Sequence, residues 1–179
     1  MKKIYMFLPL ALIMGFMAGC QDRDALTELD AMKAQAELEE QNKATVLRWL
    51  NEVSKSNFDS LYEELFAKDS KQYIPPNADP LSFEEYKPMA QHIYTAFPEI
   101  THTVDEIVAD GDKVVAKILV HTVHEGEFFG VPATGKHLEW TSIAIFQLLE
   151  GKIKARWEIA DVTGILQQLG IELKPNDAE

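Results

Sequence analysis

The sequence predicts an α+β domain, because helical patterns come first along the chain and strand patterns follow them. Before Ala96 the apolar residues recur at helical intervals, whereas after Ile100 they alternate with polar residues. Three turn signals divide this second half, at Asp110-Gly-Asp112, Gly130–Gly135 and Glu150-Gly151. Helices followed by an antiparallel meander of strands are typical of the α+β class.

Three helices are predicted in the first half of the domain. Apolar residues within Val46–Val53 fall on one broad face, and Phe58–Phe66 forms a short second helix. A capping box at Ser82-Phe-Glu-Glu85 opens a third helix that runs to about Ala96. Pro98 ends that helix, because the residue before a proline disfavours helical backbone angles.

Four strands are predicted in the second half, at about 101–109, 113–125, 137–149 and 152–161. The last strand ends in Asp161, which shares a face, counting by two, with Ile153, Ala155, Trp157 and Ile159. An acid on an apolar face costs free energy unless it is paired or put to use. Asp161 is therefore a candidate for proton transfer. The alternative is that Asp161 caps a helix that begins at Val162.

Length and charge narrow the class of protein. The 179 residues suggest one domain, and a hydrophobic content of 46% suffices for a core. The net charge of −12 repels nucleic acid, so we expect no nucleic-acid partner.

The N-terminus has the pattern of a targeting signal. Lys2 and Lys3 precede an apolar stretch, Ile4–Met17, that is too short for a comfortable membrane span. Small residues then lead into Cys20, the only cysteine, and this pattern resembles a bacterial lipoprotein cleavage site. We therefore expect lipidation at Cys20. The alternatives are a secretory signal cut after Gly19 or an uncleaved anchor.

The predicted organisation follows from this signal. Residues 1–19 are the signal peptide, 20–41 are the lipidated cysteine and a polar, partly helical tether, 42–173 are the folded domain, and 174–179 are a tail. Disorder of the tether is the alternative. By resemblance to Gram-negative lipoproteins, Gln21 after the cysteine favours the outer membrane, facing the periplasm.

Five pieces of the domain, in their order and spacing, resemble the SnoaL-like polyketide cyclase family, also called ester cyclases, of the nuclear-transport-factor-2-like superfamily. The resemblance covers roughly residues 42–170. It implies a cone-shaped fold, in which N-terminal helices wrap a curved antiparallel sheet around a pocket, and a homodimer packed through the outer sheet face. The pieces are Ala96-Phe-Pro98, His124-Glu-Gly-Glu-Phe128, Gly130-Val-Pro-Ala-Thr-Gly-Lys136, Glu150-Gly-Lys152 and the ending from Trp157 through Asp161 to Gly170.

The resemblance also implies a chemistry. In the family, the aspartate that matches Asp161 transfers a proton while a polyketide ester closes a ring by an intramolecular aldol reaction. His124 lies in a segment similar to the family's Thr-His-x-Gly-Glu pattern, with Val123 in place of threonine. It is the second catalytic candidate, and a structural histidine bonded to a loop backbone is the alternative. We expect no cofactor, and no metal because no cluster has metal-ligand spacing.

Five further residues are candidates to bind a small hydrophobic ligand. Tyr73 stands where the family often has a histidine, and Gln147 stands where it often has a basic residue. These two departures from the family pattern weaken the prediction of catalysis more than they weaken the prediction of a pocket. His102 follows the Phe-Pro pair, and Trp140 and Trp157 lie on neighbouring predicted strands. The alternative for both tryptophans is a place in the core.

Three functions compete at this point. The first is a pocket enzyme that cyclises or isomerises a small hydrophobic molecule. The second is a non-catalytic lipoprotein that holds an apolar ligand, and the third is a module that uses its outer sheet face for dimerisation or for a protein partner. Polyketide synthesis is normally cytosolic, so a lipoprotein address argues against an antibiotic cyclase in the literal sense.

Overall fold

The computed structural model describes the backbone of residues 8–77 and 79–171 and the side chains of residues 23–77 and 79–171. The predicted signal peptide and the Cys20 side chain therefore fall outside the described side chains, and the tail 174–179 falls outside the described residues. Within the part that is described, no helix combines the length and apolarity needed to cross a membrane. The chain divides into two compact units, residues 1–38 and 39–179.

The first helix, α1, spans Leu8–Glu52 and includes the whole segment predicted as a tether. Within the first unit, its described side chains are exposed, among them Leu26 and Met32. Within the second unit, its final turns carry buried apolar residues, including Val46 and Trp49. Asn42 is buried there, and its side-chain amide donates a hydrogen bond of 3.0 Å to the Gly111 carbonyl.

The elements after α1 are α2 (Phe58–Leu65), β1 (Phe66–Tyr73), α3 (Phe83–Ala96), β2 (Thr101–Asp110), β3 (Lys113–Val123), β4 (His137–Leu149), β5 (Lys152–Ala160) and α4 (Val162–Leu169). The five strands form one sheet in the order β1-β5-β4-β3-β2. The fold is α+β with a curved, mixed sheet, which confirms the predicted fold class. The capping box is present, since the Ser82 hydroxyl accepts from the Glu85 N–H and the Glu85 carboxylate accepts from the Ser82 N–H.

Strand β1 corrects the expectation of a purely antiparallel sheet. The other four strands form the predicted antiparallel meander, whereas β1 pairs parallel with β5. Its inward residues after Phe66 are Ser70 and Gln72, both buried. Because polar residues hold those inward positions, β1 lacks the apolar alternation that marks a strand in a sequence.

Two single-residue bulges interrupt the antiparallel ladders. Asp105 is the extra residue in β2, and Lys154 is the extra residue in β5. A bulge bends its strand and increases the local twist, and both contribute to the curvature of the sheet. The bulge at Lys154 also reverses which residues of β5 face inward beyond it.

The reversal in β5 corrects the face assigned to Asp161. Ile153 pairs with Leu148, and both are buried on the inner face. Beyond the bulge, the inward positions belong to Arg156 and Glu158, which pair with Phe146 and Ala144. The residues counted by two from Ile153 therefore pass to the outer face, where Ile159 is 68% exposed.

The helices pack aromatic residues against the inner face of the sheet. Trp49 of α1 lies 4.8 Å from Phe66, and Tyr62 of α2 stacks on Phe66 at 4.0 Å between ring centroids. Tyr86, Ala90 and Tyr94 of α3 are buried at four-residue spacing, so α3 also presents one face to the interior. Tyr86 thereby reaches the side chain of Arg156 on β5.

Candidate functional site

Polar side chains from five elements meet in the interior of the cone. We call this group the interior polar cluster. His102 of β2 faces inward because it pairs with buried Val120, and Arg156 faces inward because it pairs with buried Phe146. The cluster consists of Tyr62 from α2, Gln72 from β1, Tyr86 and Tyr94 from α3, His102 from β2, and Arg156 and Glu158 from β5.

Arg156 is a cation held in the interior, with only 4% of its surface exposed. Its Nη1 atom lies 3.4 Å from Glu158 Oε2, and its guanidinium carbon lies 4.9 Å from the Tyr86 ring centroid. Burial acts to lower the pKa of Arg156, but Tyr86 and Glu158 outweigh it and hold the pKa above its ordinary value. Nε and Nη2 have no hydrogen-bond partner among the described residues.

A short chain of hydrogen bonds fixes the neighbouring strand β1. The Tyr62 hydroxyl lies 2.9 Å from Ser70 Oγ and accepts a hydrogen bond of 2.8 Å from Gln72 Nε2. Gln72 Oε1 has no partner within the described chain. Burial raises the pKa of Tyr62 and of Tyr94, so both phenols keep their protons at neutral pH and can donate.

His102 is the titratable base of the cluster. Its Nδ1 atom lies 3.1 Å from the Leu50 carbonyl oxygen. A carbonyl oxygen can only accept, so this contact assigns the proton of the neutral ring to Nδ1 and leaves the Nε2 lone pair available. Burial lowers the pKa of His102, while the carboxylate of Glu158 acts in the opposite direction. The neutral form, which can accept a proton, therefore predominates at pH 7.

Asp161 caps helix α4, which is the alternative to proton transfer that the sequence left open. Its carboxylate is exposed, and Oδ1 accepts a hydrogen bond of 2.8 Å from the Gly164 N–H at the start of α4. A methyl group at Gly164 would come within 2.3 Å of Oδ2, so the glycine leaves room for the cap. The expected apolar surroundings are absent because of the bulge at Lys154. A role for Asp161 in proton transfer stays a prediction.

His124 is fully buried and holds the Gly130–Lys136 loop in place. Its Nδ1 atom lies 3.0 Å from the Thr134 hydroxyl, and its ring centroid lies 5.6 Å from that of Phe97. The backbone N–H of His124 donates to the Lys136 carbonyl, and its carbonyl accepts from the Gly135 N–H, both at 2.9 Å. These contacts fit a structural histidine, and a catalytic role for it stays a prediction.

The five predicted ligand-binding residues divide between the two faces of the sheet. His102 and Trp140 lie on the inner face, where Trp140 is buried. Tyr73 and Trp157 pair across β1 and β5 and stack on the outer face at 4.6 Å between ring centroids. Gln147 also faces outward, and its Nε2 donates to Asp112 at 2.7 Å. Trp157 changes face because of the bulge, and its register partner Tyr73 lies beside it.

Sequence reasoning missed most of the interior polar cluster. Tyr86 and Tyr94 could have been found from their spacing with Ala90, which places all three on one helix face. Arg156 and Glu158 could not, because counting by two across an unrecognised bulge assigns them to the wrong face. Gln72 lies on the strand that the pattern did not reveal.

A concavity lies near the ends of β2, β3 and β4. It is a groove with a volume of about 360 Å³. His121 and Glu139 pair across it at 3.1 Å. No group of three His, Cys, Asp or Glu residues in the described part of the chain is arranged to hold a metal ion. The groove is lined by Glu99, Thr101, His121, Thr122, Val123, His137, Leu138, Glu139 and Gln168.

Comparison with known sequences gives two kinds of match. The model of the family described as SnoaL-like polyketide cyclase matches residues 44–169. Two relatives are the aklanonic acid methyl ester cyclases DnrD of Streptomyces peucetius and DauD of Streptomyces sp. strain C5. DnrD is 33% identical over 76 residues, and DauD is 34% identical over 77 residues. These segments cover 42% of this chain and 52% and 47% of the relatives, so the chain spans about half the length of the curated relatives it matches.

Comparison with solved structures extends over more of the chain. IdmH of Streptomyces antibioticus is 30% identical with a TM-score of 0.66, and the match covers 73% of this chain and 99% of IdmH. A SnoaL-like polyketide cyclase of Agrobacterium tumefaciens, 18% identical with a TM-score of 0.60, matches over 72% of this chain and 98% of its own length. At that identity the second likeness shows the fold alone.

Proposed function

The chain belongs to the SnoaL-like polyketide cyclase family, and from that premise we propose that it cyclises or isomerises a small hydrophobic molecule by acid/base chemistry in its interior. The observation that supports this best is His102, an inward-facing neutral imidazole whose Nδ1 is bonded to the Leu50 carbonyl. The names of the curated relatives, which are ester cyclases, support the same class of reaction.

The cluster supplies the groups that a ring closure needs. In the proposed reaction, His102 Nε2 takes a proton from a carbon next to a ligand carbonyl, which forms an enolate and an imidazolium. The Tyr94 hydroxyl, which stays protonated, donates to the enolate oxygen. The enolate carbon then attacks a second carbonyl, and the imidazolium returns its proton to the new alkoxide. Protons and electrons balance within the ligand and His102.

The test is turnover of aklanonic acid methyl ester and of aklanonic acid, followed by mass spectrometry of the cyclised product, with the purified full-length chain. We expect His102→Gln to lower the rate by roughly the 10²–10⁴ of a lost general base. His137→Gln is the matched control, because His137 is exposed on the outer face. A His102→Gln variant that turns over at the unaltered rate would exclude His102 as the base.

The same assay tests the role that the family resemblance implies for Asp161. Asp161→Asn removes the charge but keeps an oxygen that can cap α4, whereas Asp161→Ala removes the cap and costs about 1 kcal/mol of stability. A rate lost in the Asn variant without loss of stability supports proton transfer by Asp161. Equal rates in Asp161→Asn and the unaltered chain leave it as a cap alone.

Non-catalytic ligand binding is the second candidate function. The observation that favours it is the placement of both predicted catalytic residues in structural contacts, Asp161 as a cap and His124 on Thr134. Under this function, the unaltered chain binds the ester in calorimetry and yields no cyclised product. Binding with product formation would exclude it.

The proposal includes a place in the bacterial envelope, which rests on the sequence around Cys20. Lipidation and removal of residues 1–19 would attach the domain to a membrane, in our proposal the outer membrane on its periplasmic side. Several acyl chains are needed, because a single chain anchors only marginally. We expect Cys20→Ser to block lipidation and to change membrane fractionation or signal processing. A mature chain with an unmodified Cys20 thiol by mass spectrometry would contradict the anchor.

A further inference from the structure

One side of the Arg156 guanidinium lies beside the carboxylate of Glu158, and the opposite edge has no hydrogen-bond acceptor among the described residues. Nη1 lies on the side of Glu158, at 3.4 Å from its carboxylate. Nε and Nη2, which have no partner among the described residues, point their hydrogens along a single edge of the planar group. Two parallel N–H groups on one edge match the two oxygens of a carboxylate.

Leaving this edge without an acceptor is costly. Arg156 is 4% exposed, so water does not freely replace a missing partner, and an unsatisfied donor on a charged group carries a large desolvation cost. The side chain cannot easily turn away, because Tyr86 lies over the guanidinium. Arg156 lies on the inner side of the sheet, where Gln72, its register partner, has a further unpartnered polar atom, Oε1.

We infer that Arg156 is a carboxylate-binding residue and that the ligand of this chain is an aliphatic or aromatic carboxylic acid rather than a neutral ester. The inference rests on the proposed function only in taking the interior polar cluster as the ligand site. The apolar part of the acid would lie against neighbours such as Phe146 and Trp140, which are buried on the same inner face. The Nε and Nη2 N–H groups of Arg156 would hold the charged end of the ligand in place.

The overall charge of the protein does not oppose this binding strongly. The net charge is −12, but charges farther away than the Debye length, about 8 Å at physiological salt, are largely screened at the surface. Inside the cone, the near charges are Arg156 and the partly exposed Glu158, whose carboxylate is already on the Nη1 side. The electrostatic field at Nε and Nη2 of Arg156 is therefore that of two N–H donors that have no acceptor among the described residues.

The experiment compares acids with their own methyl esters on the purified full-length chain, using 2-naphthoate and decanoate as probes in titration calorimetry. We expect each acid to bind at least about tenfold more tightly than its ester, since charge-assisted hydrogen bonds are worth more than neutral ones. Arg156→Lys keeps the charge but removes the fork. It should weaken the acids about tenfold and leave the esters unchanged.

Arg48→Lys is the matched control, because Arg48 is an arginine on the surface whose fork is occupied by Glu64. It should change neither acid nor ester binding. Equal affinity for acid and ester would overturn the carboxylate inference and leave the proposed ligand site intact. An acid preference that survives Arg156→Lys would also overturn it. Absence of binding by both acids and both esters would overturn the interior ligand site itself.

Discussion

His102 shows how one backbone contact determines which ring nitrogen carries the proton. The Leu50 carbonyl assigns the ring proton to Nδ1, and burial lowers the pKa of the ring. A histidine with this pair of features faces its surroundings as an acceptor. His124 is more deeply buried, its Nδ1 lies beside the hydroxyl of a loop residue, Thr134, and its Nε2 has no hydrogen-bond partner among the described residues.

The lowered pKa of His102 makes stability depend on pH. The unfolded state takes up a proton as the pH falls through the ordinary value of 6.5, whereas the folded state does so only at lower pH. The free energy of unfolding of the unaltered chain should therefore fall from pH 7.5 to pH 5.5. His102→Gln should fall less over this range in urea titrations. Equal slopes in both proteins would show that folding does not shift the pKa of His102.

At the scale of elements, two pieces of the family pattern join a helix to a loop. The Ala96 carbonyl, at the end of α3, accepts from the N–H groups of Glu125 and Gly126, at 2.9 and 3.1 Å. A similar joint holds α4, where the Gln168 side chain donates to and accepts from the backbone of Glu139. The residues of these two motifs therefore hold elements of the fold together. The polar groups of the interior come from positions that no sequence motif marks.

The close approach at Gly126 predicts a large effect of a single methyl group. A Cβ at this position would lie 2.4 Å from the Thr95 carbonyl oxygen and 2.9 Å from Ala96 Cα. Because both neighbours are backbone, Gly126→Ala should lower the free energy of unfolding by about 1–3 kcal/mol, as overpacked sites do. Chemical denaturation measures this.

Gly130→Ala is the control, because its Cβ would meet open space and the cost comes only from its φ of +78°. That cost is expected to be about 1 kcal/mol. A Gly126→Ala variant no less stable than Gly130→Ala would mean that the loop can move away from α3.

The elements were predictable from the sequence wherever one physical signal dominated. Alternation revealed four strands, and the capping box revealed α3 from its first residue. Strand β1 escaped notice because its inward positions carry Ser70 and Gln72. The site was harder to predict, because the inward set of β5 depends on where one extra residue, Lys154, is inserted. Nothing in the local pattern of apolar residues marks that insertion.

At the scale of the whole molecule, the outer face of the sheet carries one apolar row that crosses all five strands. In this row, Val108, Val115, Ile145, Trp157 and Tyr73 follow one another from β2 to β1 through consecutive register pairs. Ile143 and Ile159 lie in the next row, which continues through Lys117 and Glu106, and they are 53% and 68% exposed. An exposed apolar row of this kind favours association with another surface.

We predict that this face mediates a homodimer, as the family resemblance implied. Ile145→Asp places a charge in the middle of the row and should convert a dimer into a monomer, measured by light scattering after gel filtration. Val162→Asp is the control, because Val162 is 41% exposed on α4 and lies outside the row. A strictly monomeric unaltered chain at high concentration would contradict the prediction.

The bulge at Lys154 has a consequence for how this protein can evolve. Loss of the Lys154 codon would remove the extra residue and leave Ala155 opposite Gln147 and Arg156 opposite Phe146. The two surfaces at the end of β5 would exchange only if Lys154 entered the regular ladder, because Trp157 and Ile159 would then face inward and Arg156 and Glu158 outward. The strand can therefore lose one residue at this point and keep the same side chains inside.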